Sequence, residues 1–467
     1  MKKTLSTFAF LLFTFYLSFA QIDMGLPSAT GKGGAANGIV KDWECIGINP
    51  ANLGWKNNYD FSLSGLIVGM SVQSRALDYN QLMKAVQNST DTFTAADKKA
   101  FADLFTCEDG LNMQTNINWL TLSFKVPKIG GFAFNIRDRA FGHVTLNKNT
   151  ADILFNGMNA AIFKDTMKLL TTPISQIIDG SKIGYTHYRE MNLAYGTKLF
   201  GFGGTSDSSA VSFYGGIGVK YIWGLDNMEL YVDNAVLQGH TAMSSSAVKY
   251  GTIKGFTPET PSGLFPASGS GTGLDLGLGV GIGKLKVTFS AVDMGSITWD
   301  KNVLVAKDTL MPKPSQFSYG GLNSWNLAEQ GNHMFNDAGI IKFKPGPAYK
   351  TSLPAMFRAG VGYQVTKRFV AGADLVMPMS DNPANLQHAF YALGAEVGLA
   401  NNLFISLGVA GNTNYGFAMP FGITLAHFFK VCELRVATND ILTYISPGKN
   451  PNISFSLSFF RINYTRK

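Results

Sequence analysis

Leu274-Asp275-Leu276-Gly277-Leu278-Gly279-Val280-Gly281-Ile282-Gly283 is the stretch on which the fold turns. Leu274, Leu276, Leu278, Val280 and Ile282 fall on one face of an extended chain, and Asp275, Gly277, Gly279, Gly281 and Gly283 on the other. Side chains of a strand alternate between faces with a period of two, so this is a strand with one wholly apolar face and one of glycine plus an isolated acid. A solvated sandwich strand would carry Lys, Glu and Thr on its second face. A strand with lipid on one side and a filled lumen on the other needs none of these.

The pattern recurs. Phe357, Ala359, Val361, Tyr363 and Val365 oppose Met356, Arg358, Gly360, Gly362 and Gln364, and Phe369, Ala371, Ala373 and Leu375 oppose Gly372 and Asp374. Tyr391, Leu393, Ala395, Val397 and Leu399 oppose Gly394, Glu396 and Gly398; Phe417, Met419, Phe421, Ile423 and Leu425 oppose Gly416, Ala418, Gly422 and Thr424. Near the C-terminus Ile453, Phe455, Leu457 and Phe459 alternate with Ser454, Ser456 and Ser458. Counted from Tyr59, comparable segments predict about fourteen strands, an even number being expected of a transmembrane barrel. The stretch 226–254 stays ambiguous.

Composition agrees. Of 467 residues 51 are Gly, aromatics make up 12% and charged residues only 15%, yet beyond the first twenty residues no segment offers the ~18 apolar residues of a spanning helix. Backbone in hydrocarbon must satisfy its own hydrogen bonds, which leaves a closed barrel. Residues 1–20, with Lys2, Lys3, an apolar run and Ser18-Phe19-Ala20, read as a cleaved signal peptide. The expected division is therefore a signal peptide over 1–20, an N-terminal hatch or plug over 21–58, and a transmembrane antiparallel β-barrel over 59–467.

Several segments should not be strands. Thr94 with Asp97 forms a capping box that predicts a helix over 95–106, and apolar residues at three-to-four spacing predict another between Met158 and Ile178. Residues 257–273 and 300–349, rich in Pro and Gly, read as surface loops. The Gly31-x-Gly33-x-x-Ala36 spacing follows no strand and is set aside as a nucleotide site.

Residues 21–58 end in Ile48-Asn49-Pro50-Ala51-Asn52-Leu53-Gly54. Pro fixes its own φ and pushes Asn49 towards extended backbone, while the Asn side chain can bond its own backbone, so Asn49, Pro50 and Ala51 should form a rigid corner. This motif resembles the Asn-Pro-Ala near the mature N-terminus of FadL-type barrels, which carry long-chain fatty acids and other hydrophobic compounds. A closer resemblance, carried by Leu120-Thr121-Leu122-Ser123-Phe124-Lys125-Val126-Pro127-Lys128 with Gly131-Phe132-Ala133-Phe134, and by Gly271–Gly277 with Val292–Trp299, is to an uncharacterised FadL-like family of Bacteroidota outer-membrane proteins. It spans most of the mature chain and implies a barrel of about fourteen strands in the outer membrane.

The alternation assigns Lys220, Asp275, Arg358, Asp374, Glu396, Glu433 and Arg435 to the lumen. They read first as ion pairs bracing the wall and otherwise as a polar conduction path. No cofactor, metal or catalytic site is expected: the six histidines lack ligand spacing, no Gly-x-Ser-x-Gly occurs, and the net charge of +8 is scattered rather than gathered as for nucleic acid. Cys45, Cys107 and Cys432 give no disulfide framework, though a Cys45–Cys107 bridge stays open. The preferred function is a FadL-like channel for small hydrophobic molecules. The alternative is a structural subunit of an outer-membrane secretion or barrel-assembly complex, as the FadL-like PorV is in Bacteroidota.

Overall fold

The computed structural model describes residues 25–56, 59–87, 92–105, 110–164, 171–203, 210–244, 253–260, 262–263, 265–311, 319–324, 341–382, 388–412, 416–428, 432–448 and 450–465. Alternation becomes a wall. The first half comprises β1 (Phe61–Ser74), β2 (Gly110–Val126), β3 (Gly130–Thr145), β4 (Lys182–Phe202), β5 (Val211–Asp233), β6 (Gly269–Ile282) and β7 (Leu285–Trp299). The second comprises β8 (Met356–Thr366), β9 (Phe369–Pro378), β10 (Phe390–Gly398), β11 (Leu403–Asn412), β12 (Phe421–Phe428), β13 (Cys432–Thr438) and β14 (Asn452–Tyr464). Each pairs antiparallel with the next, and β14 pairs with β1 from Tyr464↔Phe61 to Asn452↔Gln73, closing a barrel of fourteen strands. Each of these fourteen strands is paired on both sides.

The outer face carries the apolar half of the pattern. Leu276, Leu278, Leu393, Phe455 and Phe459 are 43–63% exposed, a surface that only lipid covers without cost. Rings gather towards each end of the wall: Phe124, Phe132 and Tyr195 sit 4.9–5.3 Å apart near the 127–129 turn, and Tyr221, Trp223 and Phe265 sit 4.7–5.0 Å apart towards the other end. Short turns at 283–284, 367–368 and 399–402 mark one end, and long connections at 75–109, 146–181 and 300–355 the other. We call these the turn end and the loop end. In such barrels the long loops face outward.

The loops hold more structure than their composition announced. β5 runs past the barrel into a hairpin with Val236–Ala242, which settles the ambiguous stretch as far as Ser244, residues 245–252 lying outside those described, and Val303–Lys307 and Lys342–Pro345 extend that ribbon inside a segment read as a surface loop. Gly269–Gly273 belongs to β6 and not to the preceding loop. The capping box forms, Asp97 N–H donating to Thr94 Oγ1 at 3.2 Å and Thr94 N–H to Asp97 Oδ2 at 2.9 Å, ahead of a helix over Ala95–Leu104. Between 158 and 178 the single helix expected is replaced by short turns, Gly157–Asn159 and Ala161–Lys164, and a four-residue helix Ile174–Ile177; residues 165–170 lie outside those described. Gly157 at φ +56° ends the helix Lys148–Asn156 just before this stretch. Helices over Tyr79–Gln87 and Lys148–Asn156, the latter capped by Asn147, went unread. Leu77, Leu82, Phe105, Phe155 and Leu322 knit these loops into one apolar cluster.

Two interruptions of the wall are local. Pro420, lacking an N–H, divides the strand read across 416–425 into Gly416–Ala418 and β12. On β1, β2 and β14 the inward phase shifts at Leu66, Trp119/Leu120 and Phe459/Phe460, where Leu66 takes φ +50° and the β2–β3 register slips.

Residues 25–56 run inside the barrel and are almost wholly buried. They explain the glycine face of the opening stretch. A Cβ on Gly277 would lie 2.1 Å from Asn49 Oδ1, and one on Gly216 would lie 2.3 Å from Ala51 N. Glycine alternation is the groove into which this inserted segment is laid.

Candidate functional site

Asn49 has extended backbone, φ −159°, and caps the short 3₁₀ turn Pro50–Gly54 by accepting from Ala51 N–H at 3.0 Å. Its Nδ2 donates to Asn37 Oδ1 at 3.0 Å and reaches the wall at Phe289 O, 3.2 Å, and Leu278 O, 3.4 Å. Asn52 Nδ2 donates to Asn37 O at 2.7 Å, and Ser290 Oγ to Ile48 O at 2.6 Å. Pro50 and Ala51 pack by backbone on Gly196, Gly216 and Gly277. The motif is therefore a corner with two tethers, one back into the inserted segment and one into β6 and β7.

Every charge assigned to the lumen from sequence lies inside, in two groups. The first holds the inserted segment. Asp374 accepts from Ala36 N–H at 3.2 Å and Asn37 N–H at 3.0 Å; Arg358 donates to Gly34 O at 3.0 Å and lies 3.4 Å from Asp374. Lys32 reaches Glu396 at 3.3 Å. Arg435 bonds Glu44 at 2.5 Å and lies 2.5 Å from Glu433 as an ion pair, and Arg461 joins Asp42, Glu44 and Glu433. The second group joins strand to strand. Lys220 lies 2.9 Å from Asp275 and also bonds Asp293; Arg139 lies 2.9 Å from Asp293 and 4.0 Å from Glu190, which Arg137 contacts directly. With three cations and three carboxylates it is neutral, as burial of charge demands.

Sequence reading missed Arg137, Arg139, Glu190, Asp293 and Arg461. Asp293 sits at a bulge with φ +57°, which takes it off strict alternation. Arg461 follows the phase shift at Phe459/Phe460. Around Arg137 the outward face is charged too: Asp138 pairs with Arg189 through two bonds of 2.6 and 2.7 Å and accepts from Trp119 Nε1 at 2.9 Å, so Ile136-Arg137-Asp138-Arg139 shows no contrast between faces.

At the loop end a crevice of about 310 Å³ opens between β10, β11 and the 439–452 segment, lined by Phe390, Ala410, Phe417, Asp440 and Thr443. Phe390 and Ala410 also belong to a buried apolar cluster with Met356, Val376, Ala392 and Ala35 of the inserted segment. Ion pairs thus stand on both halves of the wall, and the apolar cluster lies among those of β8–β11.

Cys45, fully buried in the inserted segment, is a free thiol 3.7 Å from Val40 O; Cys107, its suggested partner, lies outside the described residues. Burial pushes the thiol well above its ordinary pKa, and Asp42 and Glu44 push it further. The thiolate is the reactive form, so Cys45 should resist maleimide at pH 8 in the folded protein and react once denatured. Peptide mass mapping checks this; full labelling without denaturant would show that water reaches the segment.

A family model described as a family of unknown function, DUF5723, matches residues 50–432. No curated protein matches. Among solved structures the chain is similar to the toluene transporter TodX of Pseudomonas putida (9% identity, 94% of this chain and 98% of that chain covered, TM-score 0.43). It is similar also to a FadL homologue from Pseudomonas aeruginosa (11%, 96% and 99%, TM-score 0.44) and to the monoaromatic hydrocarbon channel CymD (11%, 96% and 100%, TM-score 0.44).

Proposed function

The chain belongs to the DUF5723 family of unknown function, and from its own lumen we propose that it is a Gram-negative outer-membrane channel for small hydrophobic molecules, with residues 25–56 as its hatch. The observation that carries this reading is that two apolar side chains of the otherwise largely polar loop-end crevice belong to the cluster that reaches the inserted segment. Phe390 and Ala410 line the crevice and also touch the cluster containing Ala35. An apolar solute gains by burying its surface against these side chains, about 25 cal/mol for each Å². The hatch is tied to the barrel by hydrogen bonds and ion pairs, which can be exchanged for water when it shifts.

Ala410→Trp, which fills the crevice floor, tests this. In cells whose barrel is assembled at wild-type level, uptake of a radiolabelled small hydrocarbon is expected to fall at least about tenfold, the equivalent of ~1.4 kcal/mol lost at the entry site. Equal uptake by wild type, Ala410→Trp and cells without the protein would sink the reading.

A further inference from the structure

The turn end of the barrel holds a second cavity of about 310 Å³ with a different character. Its floor is the inserted segment from Ile39 to Glu44, and its walls are the turn ends of β7–β14. Eight basic and four acidic side chains line it. The acids are all engaged: Asp42 by Arg461, Glu44 by Arg435 and Arg461, Glu433 by Arg435, and Glu396 by Lys32. Five basic side chains remain, Lys41, Lys284, Lys286, Lys367 and Arg368, and none makes an ion pair with a carboxylate among the described residues.

These five are placed, not scattered. Lys286 Nζ lies 3.5 Å above the Trp55 ring, and Lys284 donates to Val365 O at 3.0 Å. Arg368 bonds Asn401, and Lys367 adjoins it in the β8–β9 turn. Lys41 rises from the floor, and its burial lowers its pKa below the ordinary lysine value. A partly buried ammonium without a counter-ion is costly, and uncompensated cations around a concavity focus positive potential into it. Both costs are relieved by an anion. A carboxylate's two oxygens accept within one plane, whereas a tetrahedral group with three charged oxygens accepts from several directions at once.

We propose that this turn-end vestibule is a binding site for a phosphate group carrying more than one negative charge. Such a group can come from a phosphomonoester lipid headgroup of the adjacent leaflet, as in phosphatidic acid, or from a soluble phosphate monoester. The site lies on the opposite side of the inserted segment from the loop-end crevice, and the assignment stands whether or not the barrel conducts hydrophobic molecules.

The test uses the full mature chain in phosphatidylcholine nanodiscs, titrated calorimetrically with inorganic pyrophosphate at low ionic strength. Saturable binding is expected, weakening with added salt. Lys41→Gln and the double variant Lys367→Gln/Arg368→Gln should each weaken it at least about tenfold. The second alters only exposed turn residues and keeps the test decisive if Lys41→Gln fails to fold. No saturable heat, or variants that bind as wild type does, would overturn the proposal. A second arm repeats the titration in nanodiscs containing phosphatidic acid: loss of the pyrophosphate signal assigns the site to a lipid headgroup, and an unchanged signal assigns it to a soluble ester.

Discussion

Lys220→Met is expected to lower the stability of the barrel by about 3–5 kcal/mol, the range measured when one partner of a buried ion pair is removed. Lys220 is fully buried and compensates both Asp275 and Asp293. Without it, three carboxylates face two cations, and Arg139, already shared between Asp293 and Glu190, cannot replace it. Asp293 is held in place besides by its own N–H, which donates to Asp275 at 2.8 Å, so the two acids cannot separate without disturbing the bulge. Set against a total stability of roughly 5–15 kcal/mol, the loss should be plain in the urea midpoint of heat-modifiable gel mobility. Lys220→Met/Asp275→Asn restores neutrality and should recover most of it. A single variant as stable as wild type would mean that water fills this part of the lumen and screens the acids, which favours a polar path over a brace.

How much of this was legible depended on whether a residue obeys the period of two. Asp275, Arg358, Asp374 and Glu396 interrupt runs whose other face is unmistakably apolar, so their direction could be read from sequence. Arg139 and Asp293 belong to the same networks and were invisible, one because Asp138 and Arg189 place a second ion pair on the outside of the wall, the other because a bulge displaces it. The glycines were read correctly as the non-lipid face but for too weak a reason. Gly216 and Gly277 are glycine because backbone of the inserted segment occupies the volume a Cβ would need. Contacts between residues well over a hundred apart leave no local signature. The loop helices were lost for a related reason: Lys148–Asn156 is short, and its buried face of Ala151, Ile153 and Phe155 is completed by clusters drawn from several loops.

The second large effect concerns the attachment of the inserted segment. Asp374→Leu should release residues 25–56 from the wall while leaving the barrel closed. The carboxylate accepts two of the segment's backbone amides and faces Arg358, whose other bond goes to Gly34 O. Its removal leaves two buried N–H groups without an acceptor, each costing about 1–3 kcal/mol, and strands the Arg358 guanidinium at about 3–5 kcal/mol more. None of these bonds belongs to the strand ladder, so the cost falls on docking. Limited proteolysis should then cut within 25–56 in protein that keeps its folded gel mobility. A barrel of fourteen strands falls between the small filled barrels and the water-filled porins, and planar bilayers should therefore register ion conductance that wild type lacks. Protection of the segment in Asp374→Leu would show that the Lys32 and Arg461 pairs hold it unaided. Cleavage without conductance would move the barrier to the packed loops around Phe105 and Phe155, and the hatch would then be a brace beneath a lid.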